Sequence, residues 1–396
     1  MRLNTYKYTL LLALLLCATS ARTFAKDGLT KQHISFGNAA LESADYQTAV
    51  SHYEEALKED PKSKSVMYSL GVLYIQTGDT EKAQKLFMDY LEQYPMDKDG
   101  LMGLSNVYLM KDEYEKAVRL LSQARSQDKD NEALRRNLGY AQLQAGEIKE
   151  ARKTLSALVV DCPSNALNRF DLALALAADR DLENALKEAK TGLAIFPDAE
   201  GKIIYSELLE SVGGDQLDKA VELFRGNEMD KAIAILEPLC AQFPDYSRAQ
   251  AYLGHCCNLK LPPDRAKAEK AYRVAIAAHR LVPLSRQDLA VVYDNLGSVV
   301  LRKGEESEAE SYYRLGIAEE SDYAPVYFNF GLLRAYKGAY TEASVALMDA
   351  VRRDKSMADY IASHPKLAKF RMTEDYTNLL VTIKKEKEEK ELKANE

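Results

Sequence analysis

The stretch "GDTEKAQKLFMDYLEQYP" runs from Gly78 to Pro95 and returns, in pattern rather than in letters, every 34 residues. Downstream it reads "DEYEKAVRLLSQARSQDK" (Asp112 to Lys129), "GEIKEARKTLSALVVDCP" (Gly146 to Pro163) and "RDLENALKEAKTGLAIFP" (Arg180 to Pro197). Upstream it reads "ADYQTAVSHYEEALKEDP" (Ala44 to Pro61). One alanine anchors each copy: Ala49, Ala83, Ala117, Ala151 and Ala185, all 34 apart. Twelve residues before each lies a small residue: Gly37, Gly71, Ser105, Gly139 or Ala173. Four residues after it lies Tyr53, Phe87, Leu121, Leu155 or Ala189.

This is the pattern of a helical hairpin. Each unit holds two amphipathic segments joined by turn residues such as "QTGD" at Gln76 to Asp79. The small residues let the two helices approach closely, and a proline near the end cannot continue the second helix. One hairpin cannot bury its apolar face alone, whereas stacked hairpins can. The spacing L-G-x2-Y, A-x3-F and P at a period of 34 resembles the tetratricopeptide repeat. The usual tryptophan of that family is absent. His33, Met67, Leu101, Arg135, Arg169, Gln216, Gln250, Tyr293 and Tyr327 stand in its place.

The pattern resumes around Ala232, Ala268, Ala309 and Ala343. The resemblance therefore implies an all-α chain, a right-handed superhelical solenoid of about nine helix-turn-helix repeats with a C-terminal capping helix. Repeats one to five are placed at 30–198 and six to nine at 213–356. Between them, 199–212 reads as a junction helix ended by Gly213-Gly214, either a hinge or a rigid insert. Residues 357–383 read as capping helices, and 384–396 as a charged tail with a weak coiled-coil character.

The first 25 residues have a different logic. Arg2 and Lys7 precede the apolar run Leu10 to Ala18, and small residues follow. That order is the layout of a secretory signal peptide at 1–25, and the run is shorter than the about 20 residues a membrane helix needs. The chain is thus expected to be exported, to the periplasm in the first instance. Secretion, or an outer-membrane lipoprotein through Cys17, are the alternatives. The formal net charge of −7 argues against nucleic acid as a partner, because phosphate contacts need clustered Lys and Arg. Cys162, Cys240, Cys256 and Cys257 sit inside helical patterns and read as free thiols, although pairing stays open.

The sequence holds no HExxH, GxSxG, phosphate-binding loop or GxGxxG at a strand-to-helix turn. "HCC" at His255 to Cys257 cannot converge on one ion, because consecutive helical positions fan apart. No enzyme activity, cofactor, metal or small-molecule substrate is therefore expected. The expected partner is a protein or peptide with an apolar or amphipathic segment, with peripheral association to a membrane complex. In the tetratricopeptide family the first helix of each hairpin lines the concave groove. The resemblance therefore implies a groove formed by Tyr68, Val72 and Ile75, then Met102, Asn106 and Leu109, then Arg136, Tyr140 and Leu143, then Phe170 and Leu174. Some members clamp a C-terminal carboxylate with Lys, Asn and Arg. Asn106 and Asn137 match that clamp, but Met102, Leu167 and Asp171 replace its cations, so the clamp is broken.

Two expectations follow. Tyr68, Met102, Tyr140 and Phe170 form one solvent-facing apolar track, unless tight coiling packs them on themselves. The chain acts as a non-catalytic scaffold or adaptor of the cell envelope, similar to periplasmic tetratricopeptide adaptors. The alternatives are a non-catalytic subunit of an envelope enzyme or of a secretion or pilus assembly complex, and a self-assembling structural protein.

Overall fold

The computed structural model describes residues 28–319 and 322–394, so the leader expected at 1–25 lies outside the described residues. The chain divides into two compact units, Met1–Phe196 and Pro197–Glu396. Among the described residues every regular element is helical.

The first unit is a row of hairpins. The pairs are α1 (Gly28–Glu42) with α2 (Tyr46–Glu59), α3 (Lys64–Gln76) with α4 (Thr80–Gln93), and α5 (Lys98–Met110) with α6 (Tyr114–Arg125). They are followed by α7 (Glu132–Gln144) with α8 (Ile148–Asp161), and α9 (Ala166–Ala178) with α10 (Leu182–Ile195). Caps start several of these helices. The Asp45, Asp79 and Asn131 side chains accept hydrogen bonds from the backbone N–H groups of Thr48, Lys82 and Leu134, which the helix itself leaves unpaired.

The turn inside each hairpin recurs as strictly as the alanine does. Ala44, Gly78, Asp112, Gly146 and Arg180, each 34 after the last, all have positive φ. The next residue reaches back to close the helix end. Asp79 donates to the Tyr74 carbonyl at 2.8 Å, Glu113 to Tyr108 at 2.9 Å, and Asp181 to Leu176 at 2.9 Å. Only glycine adopts this backbone freely. A Cβ on Gly78 would meet nothing within 4 Å, so Gly78→Ala tests the backbone alone. It is expected to cost about 1 kcal/mol. Arg180→Gly is expected to gain somewhat less than about 1 kcal/mol, because glycine also loosens the unfolded chain. Hydrogen exchange of α3–α4 and α9–α10 reads both, and equal protection in all three proteins would contradict the expectation.

The anchor alanines are fully buried in all hairpins of both units. Where a glycine stands before the anchor alanine it leaves room for a large neighbour. A Cβ on Gly71 would lie 2.5 Å from the Phe87 ring of its own hairpin, and one on Gly103 would fall within the same ring from the next hairpin. Phe87 therefore joins two repeats with one side chain, which is how repetition becomes a continuous core.

The second unit opens with α11 (Ala199–Arg225), one continuous helix of 27 residues. This corrects the junction helix expected to end at Gly213-Gly214. Gly213 stays helical because its missing side chain admits two neighbours. A Cβ there would stand 2.8 Å from Leu239 and 3.1 Å from Tyr246. Hairpin packing drawn from α12 (Met229–Gln242) outweighs the weak helix propensity of two glycines, worth about 1 kcal/mol each.

Next come α13 (Ser247–Leu259) with α14 (Arg265–Ala278), α15 (Arg286–Leu301) with α16 (Glu306–Ala318), and α17 (Ala324–Tyr336) with α18 (Tyr340–Arg353). The chain then runs through α19 (Met357–Ser363) and two short 3-10 turns into α20 (Glu374–Ala394). Ile361, Leu367, Phe370 and Leu379 from this segment complete the core of α17 and α18. Arg352 on α18 binds Glu386 at 2.7 Å, so the start of the charged stretch is tied to the array.

Candidate functional site

The first helices α3, α5, α7 and α9 carry the side chains expected to line a groove. The structure brings them together but mostly covers them. Ile75, Met102, Asn106, Leu109, Arg136, Tyr140 and Phe170 are buried, whereas Tyr68, Val72, Leu143 and Leu174 are half-buried. The expectation of a solvent-facing track through Tyr68, Met102, Tyr140 and Phe170 is corrected accordingly. The reason is the stacking step. Met102, Leu109 and Tyr140 belong to one core cluster with Leu121, Leu134 and Leu138 of the adjoining helices. Phe170, only 1% exposed, fills the space over Gly192, where a Cβ would stand 2.6 Å from its ring. Tyr68 lies edge-on to Phe87 at 6.2 Å. Long side chains here pack on the neighbouring repeat instead of standing in water.

The polar members of the face pair with each other. Asn137 donates to Asn106 at 3.0 Å, so the two residues that match the carboxylate clamp satisfy one another. Arg136 Nε donates to Asp171 Oδ2 at 2.6 Å, with side chains 8% and 3% exposed. The second oxygen of Asp171 is buried without a hydrogen bond. Burial first, then the charges of Asp171 and Asp112, pushes the Tyr140 hydroxyl up to about 12, so it stays protonated.

The sequence marks Asp171 only as a broken clamp position and does not single it out as the counter-charge of Arg136. The signal was available as a spacing. Arg136 and Asp171 are 35 apart, and the same spacing pairs Asp294 with Asn329 at 2.8 Å in the second unit.

In the second unit the corresponding face carries an aromatic and polar cluster. The His255 ring lies within 5.3 to 6.2 Å of Phe224, Tyr252 and Tyr272. The Tyr272 hydroxyl sits 3.0 Å from His255 Nδ1. Asp294 is buried on α15 and bonded to Asn329 and Tyr323. The thiols of Cys240, Cys256 and Cys257 are free and buried. Desolvation pushes Cys256 up to about 11 and Cys257 up to about 12, which suppresses the nucleophilic thiolate. Among the described residues no group of three or more His, Cys, Asp or Glu is placed to hold a metal ion, and no helix is long and apolar enough to cross a membrane.

Family models of the tetratricopeptide repeat match residues 40–106 and 108–161, and a second such model matches 136–200. With the hairpins, turns and anchor alanines described above, the chain is a tetratricopeptide-repeat protein. No curated protein matches its sequence. Among solved structures it is similar to MamA from Desulfovibrio magneticus, at 15% identity over 43% of this chain and 97% of that one, with a TM-score of 0.41. A thermophilic repeat protein of Thermus thermophilus shares 21% identity over 46% of this chain and 98% of its own, with a TM-score of 0.39. YrrB, described as having an unusual peptide-binding site, shares 20% identity over 45% of this chain and 96% of its own, with a TM-score of 0.38. The tetratricopeptide family is generally a non-catalytic protein-interaction fold.

Proposed function

We propose that the chain is a non-catalytic scaffold of the cell envelope that receives an apolar or amphipathic segment of a protein partner on the first-helix face of its first unit. The observation that carries this reading is the division of labour on that face. Arg136, Asp171, Asn106 and Asn137 are spent on one another inside the array. Tyr68, Val72, Leu143 and Leu174 keep accessible apolar surface at its rim. Recognition would then rest on apolar contact, with a partner helix or extended segment laid across successive first helices.

The rim is tested by Tyr68→Asp combined with Leu174→Asp, with Val160→Asp on α8 as the control, since Val160 is 77% exposed. Circular dichroism checks the fold of each variant, and crosslinking in the native envelope reads partner capture. Loss of the crosslinked partner in the rim variant alone is expected. Capture at wild-type strength by a folded rim variant sinks the proposal.

Envelope residence rests on the basic, apolar and small-residue order of residues 1–25. N-terminal sequencing of the native protein is expected to begin near Ala21 or Lys26, and an intact Met1 on exported protein would overturn it.

A further inference from the structure

The first hairpin holds a pair of imidazoles with no part in the face described above. His33 on α1 and His52 on α2 bring Nδ1 to Nδ1 at 3.4 Å, with ring centroids 5.7 Å apart and planes tilted by 39°. We propose that His33 and His52 form a two-histidine site for a divalent transition metal, of the zinc, nickel or copper class, that clamps α1 to α2.

The distance is the first argument. A hydrogen bond from ring nitrogen prefers about 2.7–3.2 Å. Two imidazole nitrogens bound to one tetrahedral ion at about 2.0–2.1 Å lie about 3.3–3.4 Å apart. The observed separation fits a shared ion better than a shared proton.

The second argument is that the fold imposes the pairing. His33 stands four before Gly37, and His52 stands three after Ala49. The same two register positions face each other elsewhere. In the fifth hairpin they are Arg169 and Glu188, ion-paired at 2.6 Å. In the hairpin α15–α16 they are Tyr293 and Tyr312, stacked at 6.4 Å. The two histidines are therefore held together by helix packing and need no ion to meet. Tyr53 secures that packing, since its ring fills the space over Gly37 and its hydroxyl bonds Asn38 at 2.6 Å.

The third argument is access and chemistry. Both rings are half-buried beside the exposed Phe36, so an ion can reach them from solvent. Imidazole suits zinc, copper and nickel, whereas magnesium and calcium want oxygen. Each ring would bind through Nδ1 and keep its proton on Nε2. Two protein ligands leave the remaining positions to water.

The test uses the full chain. Titration calorimetry with ZnCl2 is expected to show one saturable site that MgCl2 does not fill. His33→Gln or His52→Gln is expected to lower the affinity at that site by at least about tenfold. Isotherms identical to wild type in both variants would overturn the proposal. A second reading does not depend on the variants folding. Trace Cu2+ added to the wild-type chain is expected to broaden the imidazole NMR signals of His33 and His52 before those of His255, His279 and His364. Broadening that starts at any of those three also overturns it.

Discussion

Arg136→Ala is expected to destabilise the first unit by about 3–5 kcal/mol, far more than loss of an exposed ion pair. The guanidinium and the carboxylate of Asp171 are both buried and meet at 2.6 Å. Truncating the arginine leaves Asp171 in the core with one oxygen already lacking a hydrogen bond and the other newly abandoned. That is the costly half of the experiment. The informative half is Arg136→Met with Asp171→Leu, which removes both charges and fills the same volume. Replacing a whole buried pair with apolar residues is often neutral or stabilising. The double variant is therefore expected to recover most of the loss. Hydrogen exchange of α7 and α9 reads the local effect without assuming that the two units unfold together. A single variant as stable as wild type would mean that the pair is open to water. A double variant as poor as the single one would mean that the arginine stem is the main support.

The repeat was legible because it is written at one-residue accuracy. Ala49 and its counterparts fix where two helices cross, and Gly78 and its counterparts fix where each hairpin turns. A sequence can show both because each depends only on local spacing. The groove was less legible because exposure depends on the neighbour. Nothing in the letters around Phe170 says that Gly192 leaves a space for its ring. The same holds for Gly213, which ends a helix by propensity and continues one because Leu239 and Tyr246 need the room. The counter-charge of Arg136 was within reach, since the 35-residue step follows from the repeat once positions are read across hairpins as well as within them.

Acidification between about pH 6 and pH 4 is expected to draw opposing contributions from two buried groups of the second unit, and two single substitutions are expected to separate them. Burial raises the Asp294 carboxyl from 3.8 to about 6, against the lowering effect of its bonds to Asn329 and Tyr323. The folded unit then holds a proton that the unfolded chain has lost. Stability from this group is present at low pH and is lost as pH rises through about 6. Burial lowers the His255 imidazole from 6.5 to about 4, with the charge of Asp288 opposing. The unfolded chain then takes up a proton first, so stability from this group is lost as pH falls from 6.5 toward 4. Each shift of about two units corresponds to about 3 kcal/mol, and the two nearly cancel. Asp294→Asn keeps the shape and the acceptor for Asn329, and removes the cost of a buried charge at neutral pH. It is expected to stabilise the second unit by up to about 3 kcal/mol at pH 7 and to expose the loss on acidification that His255 causes. His255→Gln is expected to shift the slope the opposite way, with stability relative to wild type rising as pH falls. Urea unfolding of each protein, followed through α13–α16 from pH 4 to pH 7.5, measures both slopes. Parallel profiles in all three proteins would remove Asp294 and His255 as the groups that set the response.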